Sequence, residues 1–397
     1  MTSSPPHLLV TGGAGFIGAE VVAAALRAGW RVSVLDSFRA DVHSTALDAD
    51  EILGRFGDEF AGMLMSPTGA SQTEPARLRI VRGDVAESAL LDRLLPDIDA
   101  VSHQAAKVGL GVDFADSPDY VASNDLSTAI LLAAMTRHEI SSLVLASSMV
   151  VYGEGAYRDE HGPVAAGPRS VADLDAGRFD PISPRTGRPL EPELITEDAP
   201  ADPRNVYAAT KLSQEHLASA WARASGGRAA FLRYHNVYGP NMPQGTPYAG
   251  VASIFRSVLQ NSGRPRVFED GRQRRDFIHV GDVARANIAA LEWAGAQEPG
   301  TVRAFNVASG DVHTIGDMAE ALASALNGPT PVVTGEYRLG DVRHITASAQ
   351  RIREELGWAP QIGFSQGMTE FAHAPMRDAV DAMRDDVDAR QTGGTRV

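Results

Sequence analysis

Three glycines, Gly12, Gly15 and Gly18, follow the apolar run from His7 to Thr11, and a helical pattern begins immediately after them. A buried strand that turns this tightly into a helix narrows the fold to a few α/β arrangements. Glycine lets the backbone bend and approach a ligand closely, because no Cβ stands in the way. The free N–H groups at the helix start then face an anion, which the helix dipole favours. A dinucleotide pyrophosphate is the usual occupant of such a turn. A glycine-rich turn in another kind of α/β protein would read the same way, so later stretches have to decide.

Alternating strand and helix patterns continue along the chain. A helix is expected over 16–28, ended by Gly29, and strands over 31–36, 78–81, 99–103 and 142–147. This alternation predicts a doubly wound parallel sheet, the Rossmann arrangement. Ligands of such sheets bind at the carboxyl ends of the strands, where Asp36, Asp84, His103, Ser147 and Ser148 fall. Asp36 stands 18 residues after Gly18, where a carboxylate accepts bonds from both adenosine ribose hydroxyls and repels a 2′-phosphate. That favours NAD over NADP, although Arg39 lies close by. Asp84 is placed to accept a bond from the adenine amino group. Ala105 and Ala106 are small enough for their loop to lie against a cofactor, and His103 reads as a structural strand-end histidine. A long helix is expected over 120–137. In the polar stretch 37–77, a short helix is expected over 50–65 and a loop over 66–75.

The chain of 397 residues is long enough for two lobes. It has no cysteine, which excludes disulfides and thiolate-held zinc, and no metal site is expected. The first residues have no basic region followed by an apolar one, and no apolar run is long enough to span a membrane, so a cytoplasmic protein is expected. A net charge of −14 argues against nucleic acid or an anionic membrane as partner.

The chemistry is carried by two stretches. One is Ser147-Ser148-Met149-Val150-Val151-Tyr152-Gly153, and the other holds Tyr207 and Lys211. Four residues apart on a helix, the phenol and the ammonium share one face. A nearby cation and an oxidised nicotinamide are expected to bring Tyr207 below its ordinary value of about 10, making a base near neutral pH. Ser148 is placed to bond the same substrate hydroxyl.

With these residues in place, the chain resembles the extended short-chain dehydrogenases/reductases, within their nucleotide-sugar epimerase/dehydratase group. The resemblance rests on residues 11–18, Asp36, 84–85, 103–106, 147–153, Tyr207 with Lys211, 233–240 and 275–280, and spans about 7–370. It implies a Rossmann domain over 1–235 with an insert at 154–200. It further implies a smaller, mixed C-terminal substrate lobe over 236–375 with some segments returning to the sheet, tightly held NAD, and a homodimer through paired long helices. Residues 376–397 read as a flexible tail. The implied cofactor contacts are Gly12, Gly15, Phe16, Ile17, Asp36, Asp84, Val85, Ala105, Ala106, Lys107, Asn124, Ser147, Tyr207, Lys211 and Tyr234. The implied substrate contacts are Ser148, Met149, Val150, Asn236, Val267, Arg275 and Arg338, the two arginines clamping a pyrophosphate.

Dehydratases of the group carry Asp-Glu directly after the catalytic Ser or Thr, and related decarboxylases keep a Glu there. Met149 and Val150 stand at those positions and cannot exchange protons. Epimerisation at carbon 4 needs only Tyr, Lys, Ser and NAD. The stretches 103–109, 149–155 and 248–253 are most similar to dTDP-rhamnose 4-epimerase-like members. In such relatives, cysteine pairs in the insert look like a metal knuckle, whereas this chain has Ser183-Pro184-Arg185-Thr186-Gly187. The insert then reads as a lid or a surface loop. The expected activity is an NAD-dependent nucleotide-sugar 4-epimerase on a dTDP-6-deoxyhexose. A 4-ketoreductase or dehydrogenase on the same substrates, and a non-catalytic cofactor-sensing protein, are the alternatives.

Overall fold

The computed structural model describes residues 5–39, 56, 77–109, 114–245 and 250–377. Seven parallel strands form the central sheet: β1 (His7–Thr11), β2 (Arg31–Asp36), β3 (Leu78–Arg82), β4 (Ala100–His103), β5 (Ser142–Ser148), β6 (Arg228–Tyr234) and β7 (Val302–Val307). Their order is β7-β6-β5-β4-β1-β2-β3. Near-continuous apolar runs such as Leu8-Leu9-Val10 and Leu143-Val144-Leu145 suit strands covered on both faces, and all six residues are fully buried. One face packs against α1 (Phe16–Arg27) and the helix Val280–Gly295. The other packs against Ser88–Leu94, Ser127–Arg137 and α2 (Val206–Ser225). This is a doubly wound Rossmann sheet, and its order reverses beside β1, where such folds open a crevice.

The helix expected over 120–137 is not uniform. A short turn, Ser117–Tyr120, leads into a π-helical turn, Val121–Leu126, and only then into the α-helix Ser127–Arg137. Residues 50–65 and 66–75 lie outside the described residues, Phe56 excepted.

A smaller lobe follows β6. It contains a three-stranded sheet (Asn236–Tyr238, Arg274–His279, Val312–Thr314) and a two-stranded one (Arg266–Val267, Val332–Val333). Helices Val251–Gln260, Ile315–Ala325 and Phe364–His373 close around Tyr238, Phe255, Phe277, Met318 and Phe371. The helix Val280–Gly295 and β7 return to the central sheet.

Two expectations are corrected. The insert is not an irregular surface loop. It builds an antiparallel sheet (Ala156–Asp159, Gly162–Val164, Glu191–Glu193) and a short helix, Val171–Asp175. Its turn is closed by charge rather than metal: Ser183 Oγ donates to Asp159 at 2.7 Å, and Arg185 forks onto both Asp159 oxygens at 3.0 and 2.8 Å. The start of the expected tail is also fixed. Met242 O accepts from Arg377 N, Gln244 N donates to Arg377 O, and Arg377 Nη1 donates to Ala14 O at 2.8 Å. The rest of the expected tail, 378–397, lies outside the described residues. Among the described residues no helix is long and apolar enough to cross a membrane, and no cluster of His, Asp and Glu could hold a metal ion.

Candidate active site

One cavity of about 530 Å³ opens along the carboxyl edge of the sheet and continues beneath the smaller lobe. Its floor is the glycine turn. Gly12 has φ +65°, and a Cβ there would lie 2.7 Å from Ala105 N; a Cβ on Gly18 would lie 2.1 Å from Gly12 O. Gly15 caps α1 without a side-chain partner, so the first-turn amides remain available to an anion. The turn is therefore shaped to receive a pyrophosphate against backbone.

Asp36, at the end of β2, is held in place by Ala14 N (3.0 Å) and Phe38 N (2.9 Å). Arg39 lines the cavity close to Asp36, with its guanidinium paired to a carboxylate. It forks onto Asp119 at 3.2 Å and holds that carboxyl well below the usual carboxylate range. Asp84, Val85, Ala105, Ala106, Lys107, Phe16, Ile17, Ser147 and Tyr234 all line the cavity. Asn124 does not. Its amide is spent behind the wall, accepting from Lys107 N at 2.7 Å and donating to Lys107 O and Thr210 Oγ1. It positions the Lys107 loop instead.

The start of α2 presents the chemistry. Asn205 caps the helix through its side chain, accepting from Ala208 N at 2.8 Å. Tyr207 and Lys211 follow on one face, and both line the cavity. The Ser148 hydroxyl lies beside the Tyr207 phenol and favours its ionised form. Without the cofactor charge on which the expected lowering depends, burial pushes Tyr207 up to about 12, opposed by the neighbouring Ser148 hydroxyl. Lys211 is drawn to Gln214 Oε1 at 2.8 Å, and burial lowers its ammonium to about 8 against the pull of Glu215 and Asp125. A phenol this buried stays protonated until further positive charge enters the site.

Sequence reasoning missed the support behind this pair. Arg233 forks onto Glu215 at 2.9 and 2.7 Å, and Ser147 Oγ donates to the same carboxylate at 2.5 Å. Arg233 also donates to Tyr152 OH and Glu197 O. Gln104 was missed as well; it accepts from Tyr234 OH at 3.1 Å. The spacing Lys211 to Glu215, one further helical turn, is the only sequence signal for any of these contacts.

The substrate contacts divide. Asn236 lines the cavity, with Met149 Sδ 3.7 Å from its Nδ2. Val150 N donates to Ser148 Oγ, turning the chain away after β5. Val267 is buried in the smaller lobe's core and makes no wall. Arg275 donates to the carbonyls of Val342 (2.7 Å) and Arg343 (3.0 Å), and Arg338 lies over the Phe268 ring at 5.1 Å. Neither arginine reaches the described wall. Tyr248 and residues 110–112 lie outside the described residues.

His103 is structural, its ring bridging Thr11 Oγ1 (2.7 Å) and Thr128 Oγ1 (2.9 Å). Burial, aided by Lys211, lowers it to about 3, and burial also lowers His235 to about 3. Unfolded, both would bind protons below their ordinary value of about 6.5. Stability should therefore fall as pH drops from 6.5 toward 3, each histidine adding about 1.4 kcal/mol per pH unit. Urea unfolding across that range should show a slope that His103→Gln reduces by this amount; an unchanged slope would count against a neutral buried ring.

The NAD dependent epimerase/dehydratase family profile matches residues 8–171 and 183–308, and the chain belongs to that family. It is 32% identical over 369 residues to a dTDP-L-rhamnose 4-epimerase of Burkholderia thailandensis, covering 92% of this chain and 93% of the relative. It is 29% identical to a UDP-glucose 4-epimerase of Corynebacterium glutamicum, over 89% and 91% of the two chains. Among solved structures, the Thermus thermophilus UDP-glucose 4-epimerase complex with NAD superposes with a TM-score of 0.67 at 26% identity, over 92% and 97% of the chains. The protein is an NAD-dependent enzyme, and the glycine turn fits the cofactor.

Proposed function

We propose that the protein is a nucleotide-sugar 4-epimerase acting on a dTDP-6-deoxyhexose. The observation that carries this reading is the distribution of acids in the cavity. Its described carboxylates, Asp36 and Asp84, lie at the adenosine end, while the far end carries Tyr207, Lys211 and Asn236, with Met149 beside Asn236. An elimination needs an acid there to move a proton, and the described residues offer none. Tyr207 takes the proton from the 4-hydroxyl and gives it back, Ser148 orients that hydroxyl, and Lys211 supplies the neighbouring positive charge. NAD, when bound, supplies the hydride acceptor and donor and the ring charge that brings the phenol into a useful range. The 4-keto sugar turns over between the two half-reactions while Arg338 holds its diphosphate. The 32% identical relative supports the dTDP-sugar assignment.

Incubation with a panel of dTDP- and UDP-sugars should give products epimeric at carbon 4 by proton NMR coupling, strongest with a dTDP-6-deoxyhexose. Absorbance at 340 nm should show no net change. Stoichiometric consumption of reduced cofactor would instead favour the ketoreductase. We read the protein as a homodimer, supported by exposed apolar residues Phe114, Val121 and Leu126 along one helical stretch.

A further inference from the structure

Several side chains of the insert converge on one place. Glu154 accepts from Arg343 N at 2.9 Å, Tyr157 OH accepts from His344 N at 3.2 Å, and Tyr337 donates to Asp175 at 2.8 Å. Arg169 donates to Glu269 at 2.7 Å and to Asp341 O at 2.6 Å. Asp180 accepts from both Arg343 Nε (2.8 Å) and His344 Nε2 (3.1 Å). All of these contacts fix the segment 337–344 or the turn at Glu269 and Asp270 beside it.

Arg343 is the centre of this convergence. Its side chain is 1% exposed, and its guanidinium reaches Glu269 at 2.8 Å and forks onto Asp270 at 2.7 and 3.0 Å. An arginine this buried is tolerated because each nitrogen meets a carboxylate. Glu269 has φ +53°, a left-handed conformation unfavourable for a residue with a Cβ. The two arginines hold it there, and its N–H ties back to Glu336 O at 2.7 Å. Strain of this kind persists only where surrounding contacts over-determine it. The same segment carries Arg338, and its carbonyls at 342 and 343 receive Arg275.

We propose that residues 154–200 are a positioning arm: through the Arg343 cluster they set the segment 337–344 so that Arg338 can hold the diphosphate of the sugar nucleotide. Arg343 is the positioning residue, touching no substrate itself. This rests on the reading above that Arg338 grips the diphosphate.

Calorimetric titration of the NAD-loaded chain with dTDP and UDP tests both levels. Arg338→Ala should weaken binding of the preferred diphosphate by about tenfold or more, as loss of a charged contact does. Unchanged binding in that variant, or no binding of either diphosphate to the wild type, would overturn the underlying reading and the arm with it. If that reading holds, Arg343→Lys should weaken binding by about tenfold and Asp180→Asn by severalfold. Bound NAD per chain should stay at the wild-type level in both. Arg343→Lys added to Arg338→Ala should weaken binding no further than Arg338→Ala alone. Wild-type affinity in both arm variants, or multiplicative losses in the double variant, would show that the cluster serves only the fold. Asp180, half-exposed at the rim, keeps the test available if Arg343→Lys does not fold.

Discussion

Tyr207→Phe should lower turnover by at least about a thousandfold, within the range spanned by positioned acid–base groups. The phenol oxygen is the only atom removed, and the ring remains buried against Tyr120 at 6.3 Å. Bound NAD and affinity for dTDP should change little, since the glycine turn and Asp36 are untouched. The measurement is kcat by NMR, with cofactor content read after denaturation. Activity within tenfold of the wild type would remove Tyr207 from the chemistry. The raised pKa sharpens the expectation: a phenol at about 12 is idle as a base in the chain alone. Cofactor charge and Lys211 have to act together before proton transfer at neutral pH is possible.

The largest loss of stability should come from Arg233→Met. Arg233 and Glu215 side chains are 10% and 6% exposed, so the carboxylate would be left in the interior without its fork. Breaking a buried pair by removing one partner costs roughly 3–5 kcal/mol. Ser147 and Lys211 would remain near Glu215, and the freed carboxylate would pull the ammonium away from Tyr207. Turnover should therefore fall along with the unfolding midpoint in urea. Adding Glu215→Met to Arg233→Met should restore much of the stability, because two apolar groups leave no orphan charge. Restored stability without restored turnover would separate the pair's two roles. A folded single variant with wild-type stability would contradict the burial reasoning.

The sheet and the glycine turn were legible because their signals are local. Gly12, Gly15 and Gly18 declare a close approach, and runs such as Leu143-Val144-Leu145 declare strands covered on both faces. Tyr207 and Lys211 were legible for the same reason, since four residues on a helix fix a shared face. The residues behind them were not. Arg233 meets Glu215 across 18 positions, and Arg169 meets Glu269 across 100. Nothing in a linear spacing predicts which carboxylate a distant arginine will find. The π-helical turn at Val121–Leu126 also has no pattern that marks it off from an ordinary helix. Arg275 and Asn124 show the converse error: matching a family position does not reveal that backbone carbonyls or a neighbouring loop already occupy the side chain.

Arg377 touches Ala14 across a separation of 363 residues. During vectorial synthesis this guanidinium emerges from the ribosome long after the glycine turn. The parallel sheet has the same timing problem, since β7 arrives only after residue 302. Contacts of such long range are formed late and slowly. Nascent chains released before residue 377 should thus carry an incompletely buttressed dinucleotide turn, and capture of the cofactor becomes a report that translation has passed that residue.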